Sequence, residues 1–309
     1  MKTKYKILVS ISTLIVAAVL VFGNIAGRLI IQINNNTHRA KHVHKPLVYG
    51  LKDKKVVYTS KDGLKLSAIL VQTEIEQQKG TVILVHGIRS GKEHYLPVSK
   101  LLSKHGYNSV LVDLRAHGQS EGKYTTFGYH EKYDMSILVD SLMKMNNVSH
   151  HIGIWGNSLG AAVSLQAMSI DKRIKFGIIE STFADFKTVV HEYSAGTVGF
   201  NVPILNNYAI WWAEIIGDFN GKEVVPSEAV KNISQAVMMV HGTVDSNIDI
   251  KYGKKNFKNL ASTEKSFVEV PNANHGNVWQ VGGERYFQQV IDFADSVSMK
   301  KVSSYHTAL

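Results

Sequence analysis

The chain has 309 residues, 44% hydrophobic and 19% charged, which suits one large α/β domain or two small ones and excludes a disordered chain. It holds no cysteine, so thiol catalysis, disulfides and thiolate metal sites are excluded. The net charge of +10 belongs to the tail: residues 1–52 carry eight basic and no acidic side chains, the remainder nets only +2, and no nucleic-acid partner is expected.

Lys2, Lys4 and Lys6 open the chain, and residues 7–26 follow with only Ser10, Ser12, Thr13 and Asn24 as polar interruptions. About 20 residues of helix span roughly 30 Å, enough for a bilayer core. Residues 1–31 therefore read as a signal anchor or a cleavable signal peptide, with Val21-Phe22-Gly23 as the cleavage site in the second case. The absence of an Ala-x-Ala motif favours the anchor, a single-pass cell-membrane helix with the catalytic domain outside; cleavage would make the protein secreted. No amphipathic face is visible, which argues against a core helix. Residues 32–53 read as a basic polar stalk, in which His38, His42 and His44 suit a solvated linker better than a metal site.

Residues 55–59 and 64–72 read as strands joined at Asp62-Gly63, a hairpin signal. Residues 81–85 form a short apolar run of the buried parallel type. A helix over 95–105 ends at Gly106, a strand covers 109–113, and residues 131–145 make an amphipathic helix with Ile137, Leu138, Leu142 and Met145 on one face. The apolar run 152–155 then enters Gly156-Asn157-Ser158-Leu159-Gly160, followed by a helical stretch over 161–168. Strand, G-x-S-x-G, helix is the context of a nucleophile elbow. Gly156 and Gly160 let strand and helix approach, Ser158 stands clear at the strand end, and the Leu159 N–H points to any oxyanion formed there. The next strand is 176–179.

Between residues 181 and 225 the alternation lapses into a stretch rich in aromatics: Phe183, Phe186, Tyr193, Phe200, Tyr208, Trp211, Trp212 and Phe219. An insertion after a sheet strand overlies the ligand crevice in α/β proteins, so a cap is expected here ahead of the alternative, a pair of helices packing their aromatics on the core, with Phe183, Trp211 and Trp212 as candidate pocket residues. Strands at 236–240 and 266–270 and a closing helix at 284–296 complete the pattern. Repeated β–α alternation after a hairpin implies a mostly parallel sheet with helices on both faces.

A serine hydroxyl needs a base, and the base an orienting acid. After residues 236–240 the chain reads His241-Gly242-Thr243-Val244-Asp245, and after 266–270 it reads Pro271-Asn272-Ala273-Asn274-His275-Gly276. Asp245 and His275 complete the order Ser…Asp…His. Glu180 at the end of 176–179 is the alternative acid, and Asp249 a further rival; His241 and His117 read as structural. His86-Gly87-Ile88 follows the third strand, where the Ile88 N–H suits a second oxyanion donor.

The motifs Val85-His86-Gly87, Asp113-Leu114-Arg115-Ala116-His117-Gly118-Gln119-Ser120, the Ser158 elbow, His241 to Asp245 and Asn274-His275-Gly276 resemble the α/β-hydrolase superfamily over about residues 54–296. The resemblance is closest to bacterial serine hydrolases of the esterase and serine-aminopeptidase-like branch. It implies an α/β-hydrolase fold, a mostly parallel eight-stranded sheet with helices on both faces and a small helical cap. The core would be 54–180 and 226–309, and the cap 181–225. It implies Ser158 as nucleophile, Asp245 as acid, His275 as base, and Ile88 with Leu159 as oxyanion hole. The activity implied is hydrolysis of carboxylic esters, of short to medium acyl chains, through an acyl-enzyme. Peptidase, amidase or acyltransferase chemistry with the same triad is the alternative, and a non-catalytic binding protein a more distant one. The expected partners are a small-molecule ester or acyl substrate and the membrane; no metal or organic cofactor is needed. Two departures stand out: Ala116, where the family usually has glycine, and Ser246-Asn247-Ile248, where relatives often place a proline-containing turn.

Overall fold

A computed structural model describes residues 2–32, 46–198 and 202–306. His38, His42, His44 and Phe200 lie outside them, as does the stalk over 33–45. The apolar N-terminal run lies in one long helix, α1 (Lys2–Gln32). Most of it is exposed up to Phe22, whereas Gly23, Gly27 and Ile31 are buried against the rest of the protein. Residues 46–53 of the expected stalk belong to the folded domain: a 3₁₀ turn spans Pro46–Tyr49, Leu51 is buried and the first strand begins at Asp53.

The hairpin forms as its turn residues dictate. Strands β1 (Asp53–Thr59) and β2 (Lys65–Val71) pair antiparallel from Asp53 opposite Val71 to Thr59 opposite Lys65. The chain continues through β3 (Gly80–Val85), α2 (Leu96–Lys104), β4 (Tyr107–Val112), α3 (Glu131–Met143), β5 (Ile152–Asn157), α4 (Leu159–Ile170) and β6 (Ile174–Glu180). Helices α5 (Phe186–Val198), α6 (Pro203–Gly217) and the short α7 (Pro226–Ala229) precede β7 (Ala236–Gly242), α8 (Ile250–Asn259), β8 (Lys265–Val270) and α9 (Val278–His306). Gly283, at φ 52° and ψ −149°, breaks α9 near its start, so the helix expected from residue 284 begins at that break.

The eight strands form one sheet in the order β1-β2-β4-β3-β5-β6-β7-β8, parallel from β4 to β8. Alternate residues of the central strands feed two cores. Ile83 and Val85 pack with α3 and α4, while Val82 and Leu84 pack with α2 and α9. Strand order reverses between β3 and β5, the switch point at which α/β sheets open a crevice at their carboxyl ends. The loops after β3 and β5 both leave the sheet there. Helix α8 lies outside the elements expected from the sequence: it is short and lysine-rich, and the residues it buries fully are Gly253 and Asn256.

Candidate active site

Ser158 sits between β5 and α4 at φ 55° and ψ −116°, a backbone conformation that an L-residue holds only when its surroundings impose it. The flanking glycines show why. A Cβ on Gly160 would lie 2.0 Å from the Val85 carbonyl oxygen, and one on Gly156 would lie 2.3 Å from that of Gly160. No side chain fits either position, so the elbow can close only with glycine at both.

His275, in the loop after β8, reaches both expected partners. Its Nε2 is 2.9 Å from Ser158 Oγ and its Nδ1 is 2.8 Å from Asp245 Oδ2. Since Oδ2 can only accept, Nδ1 carries the proton and Nε2 is free to accept from the serine hydroxyl. Asp245 Oδ1 accepts the backbone N–H groups of Asn247 (3.0 Å) and Ile248 (2.9 Å). The Ser246-Asn247-Ile248 turn thus closes on the carboxylate itself and needs no proline. Burial acts to raise the Asp245 pKa, but hydrogen bonds from His241 and His275, the His275 charge and the Ile248 N–H outweigh it. The carboxyl is held well below the usual carboxylate range and stays ionised.

Two residues outside the expected set steady this pair. His241 Nε2 lies 2.8 Å from the Ile248 carbonyl oxygen and 3.3 Å from Asp245 Oδ2, so it braces the acid turn from β7. Asn274 Oδ1 accepts from Ser246 N (3.0 Å), Ser246 Oγ (3.2 Å) and His275 N (2.7 Å), tying the acid loop to the histidine loop. The sequence signal for Asn274 is only its position next to His275.

Gly87 approaches the elbow closely: a Cβ there would lie 2.8 Å from Asn157 Oδ1 and 3.3 Å from Ser158 Cβ. Ile88 follows it directly, and Leu159 opens α4 beside Ser158. The Ile88 loop is anchored behind by buried Lys92. Its ammonium contacts Asp113 Oδ2 and its N–H donates to Asp113 Oδ1 at 2.9 Å. Ala116 occupies its family-glycine position at φ 61°, the left-handed conformation for which glycine is favoured. His86 Nδ1 donates to the Gly87 carbonyl (2.7 Å) while Nε2 accepts from Leu114 N (3.1 Å); burial pushes its pKa down to about 3. His117 Nδ1 lies 2.9 Å from the Arg115 carbonyl oxygen, and burial lowers its pKa too. Both serve the loops.

The alternative acids are elsewhere. Glu180 is fully buried on the opposite side of the sheet, accepting from Trp155 Nε1 (2.9 Å), Trp279 Nε1 (2.9 Å) and the Tyr286 hydroxyl. Burial pushes its pKa up to about 6 against those three hydrogen bonds. A strand alternates its side chains between faces, so Glu180 and the Ser158 group part company despite adjacent backbones. Asp249 caps α8, accepting from Lys251 N at 2.8 Å. Of the pocket candidates, Phe183 is buried against Phe127. Trp212 packs on α1, where a Cβ at Gly23 would lie 2.1 Å from its Nε1, and Trp211 is half exposed in a surface recess with Tyr129, Ile215 and Phe219. These two tryptophans therefore face α1 and the surface, because α6 turns its inner side to α1.

The sheet order, the serine elbow at the switch point and the helices on both faces define an α/β-hydrolase, and the chain is a serine hydrolase of that superfamily. Within it, the chain belongs to the X-Pro dipeptidyl-peptidase (S15) family, which it matches over residues 36–206. That match contains Ser158 and ends before Asp245 and His275. The chain is 25% identical over 221 residues to the uncharacterized protein YqkD of Bacillus subtilis, covering 71% of this chain and 72% of that one. It is 27% identical over 203 residues to the lysophosphatidylserine lipase ABHD12 of Gallus gallus, covering 60% of this chain and 48% of that longer one. Among solved structures, the Pyrococcus furiosus esterase Pf2001 aligns with a TM-score of 0.67 and 26% identity over 81% of this chain and 93% of its own.

Proposed function

We propose that the protein is a membrane-anchored serine carboxylesterase acting on short to medium acyl esters through an acyl-enzyme. The observation that carries this reading is the single imidazole of His275, within 2.9 Å of Ser158 Oγ and 2.8 Å of Asp245 Oδ2. His275 Nε2 takes the proton as Ser158 Oγ attacks the ester carbonyl, and the tetrahedral oxyanion accepts from the Ile88 and Leu159 N–H groups. The C–O bond to the alcohol then breaks as His275 returns the proton to the departing oxygen. Water enters, gives a proton to His275 as it attacks the acyl carbonyl, and His275 passes that proton to Ser158 Oγ as the Oγ–acyl bond breaks and the carboxylic acid leaves. Asp245 holds the imidazole in the required tautomer and stabilises its charged form.

Residues 181–225 act as the cap in this reading. Lys251 Nζ at the start of α8 lies 3.4 Å from Glu192 Oε1 on α5, which supports α5 lying beside the loop that carries Asp245. Retention of α1 as a signal anchor is supported by the burial of Gly23, Gly27 and Ile31 against the domain.

The test uses the full chain in detergent with a fluorophosphonate probe. Wild type should label and Ser158→Ala should not; equal labelling of the two would refute the enzyme reading. A panel of nitrophenyl esters from acetate to palmitate, beside aminoacyl anilides, then reads the substrate. Membership of the S15 family favours a second reading, peptide or amide cleavage by the same residues, and turnover confined to anilides would select it.

A further inference from the structure

Helix α6 does two things at once. Its inner side clasps α1: a Cβ on Gly23 would lie 2.3 Å from Trp212 Cδ1 and 2.5 Å from Tyr208 Cε1, and one on Gly27 would lie 2.7 Å from Ala213 N. The Tyr208 hydroxyl donates to the Val19 carbonyl at 3.1 Å. Glycines four residues apart on α1 thus let α6 approach backbone to backbone. Among the described residues, its flanking side is largely uncovered. Ile204, Trp211 and Ile215 are 77%, 49% and 54% exposed, and they share one helical stripe whose edge Tyr208, partly buried against α1, closes.

The depth of the clasp identifies what covers that stripe. The apolar run of α1 over 7–26 matches a bilayer core, and Val19 lies seven residues, roughly 10 Å, inside its domain-proximal end. Tyr208 meets α1 at that depth, and the contacts Val19–Tyr208, Gly23–Trp212, Gly27–Ala213 and Ile31–Gly217 advance in the same chain direction, so α6 lies alongside the domain-proximal part of α1 with Ile204 at its deeper end and Gly217 toward the headgroup boundary. Tyr208, Trp211 and Trp212 are also the residue types that gather at such boundaries.

We propose that α6 is a leaflet-inserted helix: running alongside α1 and locked to it at Gly23 and Gly27, it beds Ile204, Trp211 and Ile215 in the leaflet around the anchor, with Tyr208 at the seam between the two helices. The inference rests on α1 spanning the membrane. It makes the chain's contact with lipid two-legged and holds the α5–α6 segment at the leaflet, since Ser194 Oγ donates to Asn206 Oδ1 at 3.0 Å between the two helices.

The absence of native cysteine permits a direct test. Single-cysteine variants Leu14→Cys, Ile204→Cys, Ile215→Cys and Lys100→Cys of the full chain are labelled with an environment-sensitive fluorophore. They are reconstituted in vesicles of phosphatidylcholine and phosphatidylglycerol, after thermal melts confirm folding. Probes at 14, 204 and 215 should shift to the blue and be quenched by doxyl-labelled lipid, while the probe at 100 is quenched by aqueous iodide. Lipid quenching at 14 with iodide quenching at 204 and 215 overturns the proposal and leaves the anchor standing. Protection of 204 and 215 from both quenchers puts a second copy on the stripe and overturns it equally. Iodide quenching at 14 removes the anchor itself, and the proposal with it. None of these outcomes touches the fluorophosphonate result.

Discussion

Replacing Asp245 by asparagine removes a charge while keeping the shape, and the structure dictates how the new amide must turn. Asp245 Oδ1 already accepts the Asn247 and Ile248 N–H groups, at 3.0 and 2.9 Å. Only the amide oxygen can take that place, so the NH₂ faces His275 Nδ1 across the 2.8 Å gap where Oδ2 accepts in the wild type. A donor at that point forces His275 Nδ1 to accept and moves the ring proton to Nε2, the atom that has to receive the Ser158 proton. A wrong tautomer with intact geometry lowers kcat by about 10⁴-fold, equivalent to about 5.5 kcal/mol of transition-state stabilisation. KM should change little, because the substrate meets neither Asp245 oxygen. The assay is steady-state hydrolysis of a nitrophenyl ester by the full chain in detergent, with thermal melts to show that Asp245→Asn folds. A kcat within tenfold of wild type would refute the reasoning, since no other carboxylate described here bonds to His275.

Three further outcomes follow from the same geometry. Asn274→Ala should lower kcat by up to about 100-fold through displacement of the histidine loop, and Asn274→Asp, which keeps the acceptor, should recover most of it; a kcat unchanged in the alanine variant would show that Asn274 positions nothing. Glu180, pushed up to about 6 by burial, binds its proton more tightly folded than unfolded. Its contribution is therefore greatest below about 4.5 and is lost as pH rises through 6, a difference of about 2 kcal/mol. Glu180→Gln should flatten the stability profile in that window, measured by denaturant melts at pH 4.5 to 7.5; an identical slope in the variant would be contrary. Gly27→Leu puts side-chain atoms where even a Cβ lies 2.7 Å from Ala213 N, so overpacking should lower stability by about 1–3 kcal/mol, read as a fall in melting temperature.

How much was legible in the sequence depended on how local each signal is. All eight strands announce themselves as apolar runs between turn residues, and the elbow is specified within five residues by glycines whose Cβ positions are blocked. Asp245 and His275 are legible because parallel strands deliver their following loops to one end of the sheet. Helix α8 is less so, because Lys251, Lys254, Lys255 and Lys258 crowd its ten residues and the residues it buries fully are Gly253 and Asn256. Glu180 looked able to reach the histidine because chain position does not tell which face a strand residue takes; Trp155, Trp279 and Tyr286, far apart in sequence, settle it.

The aromatic segment teaches the opposite lesson. Trp211 and Trp212 were expected at the substrate because they follow the elbow region and carry large apolar surface. Their placement depends instead on Gly23 and Gly27, almost 190 residues earlier, in a helix whose composition alone suggested an independent anchor. A helix that merely tethers a domain has no need to bury Ile31 completely or to bring its backbone within reach of Tyr208. The docked end of α1 therefore makes that helix and the domain one structural unit. A substitution in the seam should accordingly be felt in the stability of the folded domain as well as in the packing of α1.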